Sequence, residues 1–413
     1  MNSYIESVDF FKGNNPEKIA EEYKTPLYVY NEEIIRNRMH AVSQVITKYP
    51  YTANYSVKAN TNIHILKLAL EEGINCDAMS EGEIRMLEAA GFPKERIFFV
   101  PNNVSAEEMR YAIDRGIMTS LDSLSQLETF GEINPGGKCA VRINPGVGAG
   151  HHEKVVTAGK KTKFGVAEED IDKIFEIADK YNLTIAGINQ HIGSLFMDYK
   201  PFLAAAENFL RIALKFKNLE FVDFGGGYGI PYHKLDDEKP FDMEGFKKAL
   251  EAILDRFVAE YGYAPLFKSE PGRFCVAEGC VILGRVHAVK QNNGHVYAGT
   301  DIGMNVLLRP SMYDSWHDVE VLRDGKAVSR DSLSPINVCG NICESGDLLA
   351  KDRMLPEIKK GDLACVLDAG AYGYSMCSTY NSRPRPAEVL VCKDGSIKTI
   401  RKRETYEDLF RLM

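Results

Sequence analysis

No run of about 18 apolar residues occurs in the 413-residue chain, so no segment is expected to span a membrane. There is no excess of positive charge either. Lys and Arg number 50 against 58 Asp and Glu, a formal net charge of −8. A nucleic-acid binder normally presents a basic face, so that partner class is excluded. No Cys-x-x-Cys pair and no clustered His/Cys pattern is found, which argues against a zinc site, and no metal is expected. The nine cysteines are odd in number and scattered, as free thiols in a reducing cytoplasm are. The opening stretch lacks the basic-then-apolar order of a signal peptide, and a cytoplasmic location is expected. Low-complexity linkers are missing. With 45% hydrophobic and 26% charged residues the chain can bury a core, so disorder and collagen-like structure are excluded. At roughly 150 residues per domain, the length points to two or so.

What the sequence has is alternation. From about residue 50 to residue 270, short β-rich runs are followed by amphipathic stretches with apolar residues three and four apart. Strands are expected at 52–57, 74–77, 97–100, 117–121, 139–143, 185–191, 220–224 and 266–269. Helices are expected at 63–72, 81–90, 106–115, 169–181, 201–216 and 243–261. Parallel strands need crossovers, so this alternation implies a parallel sheet. Eight units suggest an α/β fold with a closed (β/α)8 barrel; an open doubly wound sheet is the competing arrangement. After about residue 271 the helical periodicity gives way to hairpin signals at Asn292-Asn293-Gly294 and Lys393-Asp394-Gly395. The expected division is a cofactor-binding barrel at 31–270. A second, mostly antiparallel β domain at 1–30 and 271–413 would complete the active site.

A barrel places its active site at the C-terminal ends of its strands. The residues there are Lys58, Asp77 with Ser80, Asn102, Asp122, Arg142 with Asn144, His191 to Ser194, Gly225-Gly226-Gly227, and Glu270-Pro271-Gly272-Arg273. Reactive groups thus crowd one face. Alone, Lys58 reads as a solvated strand-end lysine. Partly desolvated above a barrel mouth, its amine becomes nucleophilic, as Schiff-base chemistry requires. The glycine run reads alone as a tight turn, and after the seventh strand as a phosphate cradle. It is neither a Walker loop nor the dinucleotide fingerprint. Glu270 and Arg273 read alone as a structural ion pair. Together with a lysine and a phosphate cradle, they suggest pyridoxal phosphate, with Glu270 holding the pyridine nitrogen protonated. His191 is either a core histidine or a ring stacked on the flat cofactor.

Several motifs then coincide in order and spacing. They are Tyr55–Asn60, His191–Ser194, Phe224–Gly229, Glu270–Arg273, Cys343–Asp347, Gly370–Gly373 and Tyr380–Val389. Over nearly its whole length the chain resembles the fold-type III pyridoxal-phosphate decarboxylases, and within them the branch acting on diaminopimelate. The resemblance implies that Lys58 is the Schiff-base lysine and that His191 stacks on the cofactor ring. It implies a cofactor set of Lys58, Asp77, His191, Ser194, Gly226, Gly227, Glu270, Gly272, Arg273 and Tyr372. Arg273, Arg309, Tyr313, Glu344 and Tyr372 match substrate-binding positions. Cys343 and Glu344 match residues contributed across a homodimer with shared active sites.

The implied reaction is decarboxylation of meso-2,6-diaminopimelate at its D-centre, giving L-lysine and CO2, the last step of lysine biosynthesis. Reprotonation at the α-carbon falls to Cys343 or Lys58. Arginine suits the distal carboxylate because its planar fork pairs bidentately, and Glu344 suits the distal ammonium. The chain departs from the family pattern at Leu195, Val306 and Trp316, all near the substrate end. Alternatives are a related decarboxylase of D-lysine, D-ornithine, carboxynorspermidine or a carrier-bound intermediate. An alanine racemase would not need the Cys343–Asp347 motif. A non-catalytic cofactor carrier or regulator would not need residues 271–413.

Overall fold

The computed structural model describes residues 2–146 and 162–413. Two compact units emerge. One comprises Arg38–Ile230 and Phe241–Cys275, here called the barrel unit. The other comprises Met1–Asn37, Pro231–Pro240 and Val276–Met413, here called the β unit.

Strand β1 (Leu27–Asn31) belongs to the β unit. The barrel unit follows with β2 (Tyr51–Ser56), β3 (Asn75–Ala78), β4 (Ile97–Phe99), β5 (Met118–Leu121), β6 (Lys138–Asn144), the short β7 (Val166–Ala167), β8 (Thr184–Asn189), β9 (Phe221–Asp223) and β10 (Leu266–Ser269). The order β5-β4-β3-β2-β10-β9-β8-β6, with β5 also paired to β6, closes the sheet on itself. All these pairings are parallel. Of the two arrangements open to the sequence, the closed eight-stranded barrel is the one found; β7 pairs β6 outside the ring.

Local chemistry sets the helices. Ser80, Ser105 and Ser123 each accept a backbone N–H from three residues on, capping the helices Glu81–Ala90, Ala106–Asp114 and Leu124–Ile133. Gly91, Asn182 and Gly262 end their helices in the left-handed conformation. The helix Leu124–Ile133 is absent from the periodicity reading. Its sequence LSQLETFGEI carries a glycine that weakens the helical signal. Gly131 stands where a Cβ would come within 2.4 Å of the Tyr181 ring, so tertiary packing selects it. Inside the barrel, Phe98 meets Phe221 edge to face at 5.4 Å, and both pack with Val100 and Ala140.

In the β unit, β11 (Cys280–Asn292), β12 (His295–Thr300), β13 (Val319–Arg323), β14 (Lys326–Ala327), β15 (Ser334–Cys339), β16 (Leu348–Leu355), β17 (Leu363–Val366), β18 (Ala387–Val391) and β19 (Ile397–Arg401) join β1 in one sheet. Its pairings are antiparallel except β1–β18 and β12–β15. Both hairpins form where the turn residues place them. Asn293 and Gly294 have φ of 47° and 83°, as a two-residue primed turn requires. All five residues of β1 are buried, between β11 (Leu27 opposite Leu283) and β18 (Leu27 opposite Ala387). No helix among the described residues is long and apolar enough to cross a membrane.

Candidate active site

Four strand ends of the barrel unit are tied together by short bonds. After β2 the chain turns through the 3-10 segment Val57–Ala59, which carries Lys58 half-exposed between two buried neighbours. The Ser56 N–H donates to the Pro271 carbonyl, and Gly272 lies against Ser56 and Ala59. The lysine turn and the Glu270–Arg273 turn are thereby held together. The Ser56 hydroxyl donates to Asp77 Oδ2 at 3.0 Å, adding the end of β3. Arg273 Nη2 donates to the Ser194 hydroxyl at 3.1 Å, adding the loop after β8.

The glycine run after β9 completes this face. The Glu270 N–H donates to the Gly225 carbonyl. A Cβ on Gly226 would stand 1.9 Å from the Glu270 carbonyl oxygen, so any side chain there would separate the two loops. The Gly226 N–H donates to His191 Nδ1 at 3.2 Å, which leaves that nitrogen unprotonated. Burial, with the Lys58 and Arg142 charges nearby, holds the His191 imidazole well below its ordinary range, so the ring is neutral.

Sequence reasoning gave Asp223 no role. It ends β9 inside the barrel, where its Oδ1 accepts the Gly225 N–H at 2.9 Å and its Oδ2 accepts from Asn54 at 3.3 Å. A carboxylate two residues before the glycine run was the available signal. The strand-end trio Asn102, Asp122 and Arg142 also forms a group. Asn102 bonds Asp122, and Arg142 lies 3.5 Å from the same carboxylate.

Electrostatically this face is acid-rich, and Asp77, Asp223 and Glu270 are all buried. Glu270 is 6% exposed, and its Oε1 has no hydrogen-bond partner among the described residues. Burial first, then Asp223 and Asp77, push its carboxyl well above the usual range, against the pull of Lys58 and Arg142. Burial pushes Asp77 up to about 8 and Asp223 up to about 6. A pH dependence follows, with a definite sign. Ordinary carboxyls titrate near 4, so between pH ~4 and these raised values the folded barrel holds protons that the unfolded chain releases. The stability these groups contribute is present below pH ~4 and is lost as pH rises through 6 and then 8. Cofactor-free protein should therefore melt at a lower temperature at pH 8.5 than at pH 5.5. Asp77→Asn should reduce that slope, as differential scanning fluorimetry would read; a melting temperature that rises over this window would refute it.

The remaining candidate residues belong to the β unit. Arg309 and Tyr313 bound one short helix. Arg309 is 2% exposed, and its guanidinium donates to the hydroxyls of Tyr232 and Ser315. The Ser311 hydroxyl from the same helix donates to the Gly346 carbonyl, which brings the Cys343–Asp347 loop beside it. Asp347 shapes that loop by accepting the Met304 and Ile342 N–H groups. Cys343 is the only exposed one of the nine cysteines. Glu344 is exposed too and accepts from the Tyr380 hydroxyl. Tyr372 sits at φ 57°, a left-handed backbone that tyrosine rarely adopts and that strained functional loops use.

The barrel residues fit pyridoxal phosphate on their own geometry. An amine, a buried carboxylate oxygen lacking a partner among the described residues, a neutral imidazole and a cradle that only glycine fits share one barrel mouth. The family described as pyridoxal-dependent decarboxylase, pyridoxal binding domain, matches residues 32–277. The chain is 41% identical to the diaminopimelate decarboxylase of Methanothermobacter thermautotrophicus, over 97% of this chain and 94% of that one. It is 36% identical to that of Archaeoglobus fulgidus, over 95% of this chain and 93% of that one. Among solved structures, diaminopimelate decarboxylase from Helicobacter pylori complexed with L-lysine superposes with a TM-score of 0.87. It is 33% identical and covers 96% of this chain and 99% of its own.

Proposed function

The chain belongs to the pyridoxal-dependent decarboxylases, and from that membership we infer that it converts meso-2,6-diaminopimelate to L-lysine and CO2. One observation supports this reading most. The glycine cradle packs directly on the Glu270 loop, Lys58 lies near enough for its charge to act on Glu270, and Glu270 carries a buried oxygen lacking a partner among the described residues. Bound pyridoxal phosphate supplies an electron sink conjugated to the substrate's α-carbon.

The protein's own groups then have distinct tasks. Lys58 Nζ is the amine that would hold the cofactor covalently. Glu270 keeps the ring nitrogen protonated, which requires a carboxylate shielded from water. His191, neutral, would lie against the cofactor ring. Gly227 and Gly272 would offer backbone N–H groups to the phosphate, Gly226 lets the two loops close up on one another, and Ser194 and Arg273 would add side-chain donors. Asp77 lies close enough to Lys58 for the ammonium to oppose the upward push of burial on its carboxyl. Arg309, Tyr313, Glu344 and Tyr372 recognise the non-reacting centre of the substrate, and Arg273 does so from the barrel. Cys343 or Lys58 returns the proton to the α-carbon.

The same reading makes the protein a cytoplasmic homodimer with shared active sites. Its support is the exposed Cys343–Asp347 loop, ordered by Asp347 yet presenting Cys343 and Glu344 outward. The first experiment is CO2 release and L-lysine formation from meso-diaminopimelate by the purified, cofactor-loaded protein. CO2 from D-lysine and none from meso-diaminopimelate would overturn the substrate. For the dimer, Lys58→Ala and Cys343→Ala are mixed after separate purification. Each alone should be nearly inactive, and the mixture should regain about one quarter of wild-type activity, since half the dimers carry one intact site. No regain on mixing would remove the shared-site reading.

A further inference from the structure

The Arg309 guanidinium is clamped by two residues that follow it closely in the chain and by one that lies 77 positions before it. Its Nη1 lies 2.6 Å from His317 Nε2 and 3.2 Å from the Tyr232 hydroxyl, and its Nη2 lies 3.3 Å from the Ser315 hydroxyl. His317 is fully buried. A guanidinium only donates, so His317 Nε2 accepts and carries no proton. Its Nδ1 lies 2.7 Å from the Leu367 carbonyl, which only accepts, so Nδ1 carries the proton. The two bonds together admit one state, the neutral Nδ1–H tautomer.

That ring is itself held in place. Arg353 Nη1 donates to the His317 carbonyl at 2.7 Å, and the Arg353 guanidinium lies 3.1 Å from the centre of the Trp316 ring. Trp316 stacks on His233 at 4.1 Å, and Tyr232 meets His317 edge to face at 5.2 Å. Tyr232 and His233 come from Pro231–Pro240, which interrupts the barrel sequence yet belongs to the β unit.

We propose that His317 is a positioning residue, a neutral imidazole that fixes the plane of the Arg309 guanidinium for the carboxylate of the substrate's non-reacting centre. This role rests on Arg309 taking that carboxylate. An arginine side chain has many rotamers, and a bidentate fork works only when its plane is set. A hydrogen bond to a charged group is worth enough to change affinity by roughly one to two powers of ten.

The test uses the cofactor-loaded enzyme and two ligands, L-lysine, which carries the carboxylate, and 1,5-diaminopentane, which is the same chain without it. His317→Leu and His317→Asn should weaken L-lysine binding by calorimetry, and raise KM for meso-diaminopimelate, by about 10- to 100-fold. The value of kcat should stay within about twofold, because the lost binding is common to ground and transition states. Diamine affinity should not change. His317→Gln extends its side-chain oxygen toward the Nε2 position and should recover most of the loss. Asn and Gln differ by one methylene, so their contrast can be read even where the leucine variant fails to fold. Arg309→Ala is the reference. If it weakens L-lysine while the His317→Leu and His317→Asn variants do not, the positioning role is overturned alone. If it leaves L-lysine binding unchanged, the substrate role of Arg309 falls, and His317's with it. Equal losses for both ligands would mean that His317 is merely structural.

Discussion

Replacing Lys58 by alanine is expected to cost roughly 10³-fold or more in decarboxylation and to remove the near-visible absorbance of covalently held cofactor. The reasoning starts from the backbone. The lysine turn is held by the Ser56 N–H on the Pro271 carbonyl and by the 3-10 bond from Asn60 to Val57, and neither uses the Lys58 side chain. Alanine suits that turn, so the barrel should fold and its melting temperature should stay close to wild type. What disappears is the strand-end amine whose charge acts on Asp77 and Glu270. Cofactor should then be removable by dialysis. Unchanged absorbance and turnover in Lys58→Ala would mean that another amine holds the cofactor.

Glu270→Gln should separate catalysis from stability. The substitution keeps shape and removes the charge that the cofactor's ring nitrogen needs, so kcat should fall by roughly 10²- to 10³-fold. Stability should move the other way or not at all. In the cofactor-free barrel, burial together with Asp223 and Asp77 penalises a negative charge at Glu270. A neutral amide escapes that penalty, so the cofactor-free variant should melt at or above the wild-type temperature. Single-turnover kinetics and calorimetry check the two halves independently. A kcat within tenfold of wild type would remove Glu270 from the electronic role assigned to it.

Much of the fold was legible because the barrel obeys local rules. Strand 266–269 falls where β10 forms, and helices 81–90 and 243–261 match their caps at Ser80 and Asp242. The errors lie at ends and at exceptions. The expected strand 185–191 stops at Asn189, because His191 is already in the loop whose geometry the Gly226 N–H sets. The helix Leu124–Ile133 escaped notice because Gly131 serves a neighbouring tyrosine rather than the helix itself. In the site, Lys58, His191, Glu270 and the glycines were legible as strand-end residues. Asp223 was not, since a carboxylate supporting a loop from below differs from a surface aspartate only in three dimensions.

Sequence alone determined that this chain is an α/β protein with parallel crossovers and a β-rich C-terminal part. It also determined which residue types collect at the strand ends. Periodicity, turn chemistry and strand order are local properties, and a one-dimensional pattern records them. Tertiary structure alone decided that the sheet closes, with β5 pairing β6, and that β1 lies at the centre of the other sheet. It alone decided that Glu270 has a buried oxygen lacking a partner among the described residues, and that Tyr232 and His317 converge on Arg309. Those outcomes depend on which groups lose water together and which donors meet which acceptors. Burial and hydrogen-bond pairing are properties of the packed chain and have no period along it.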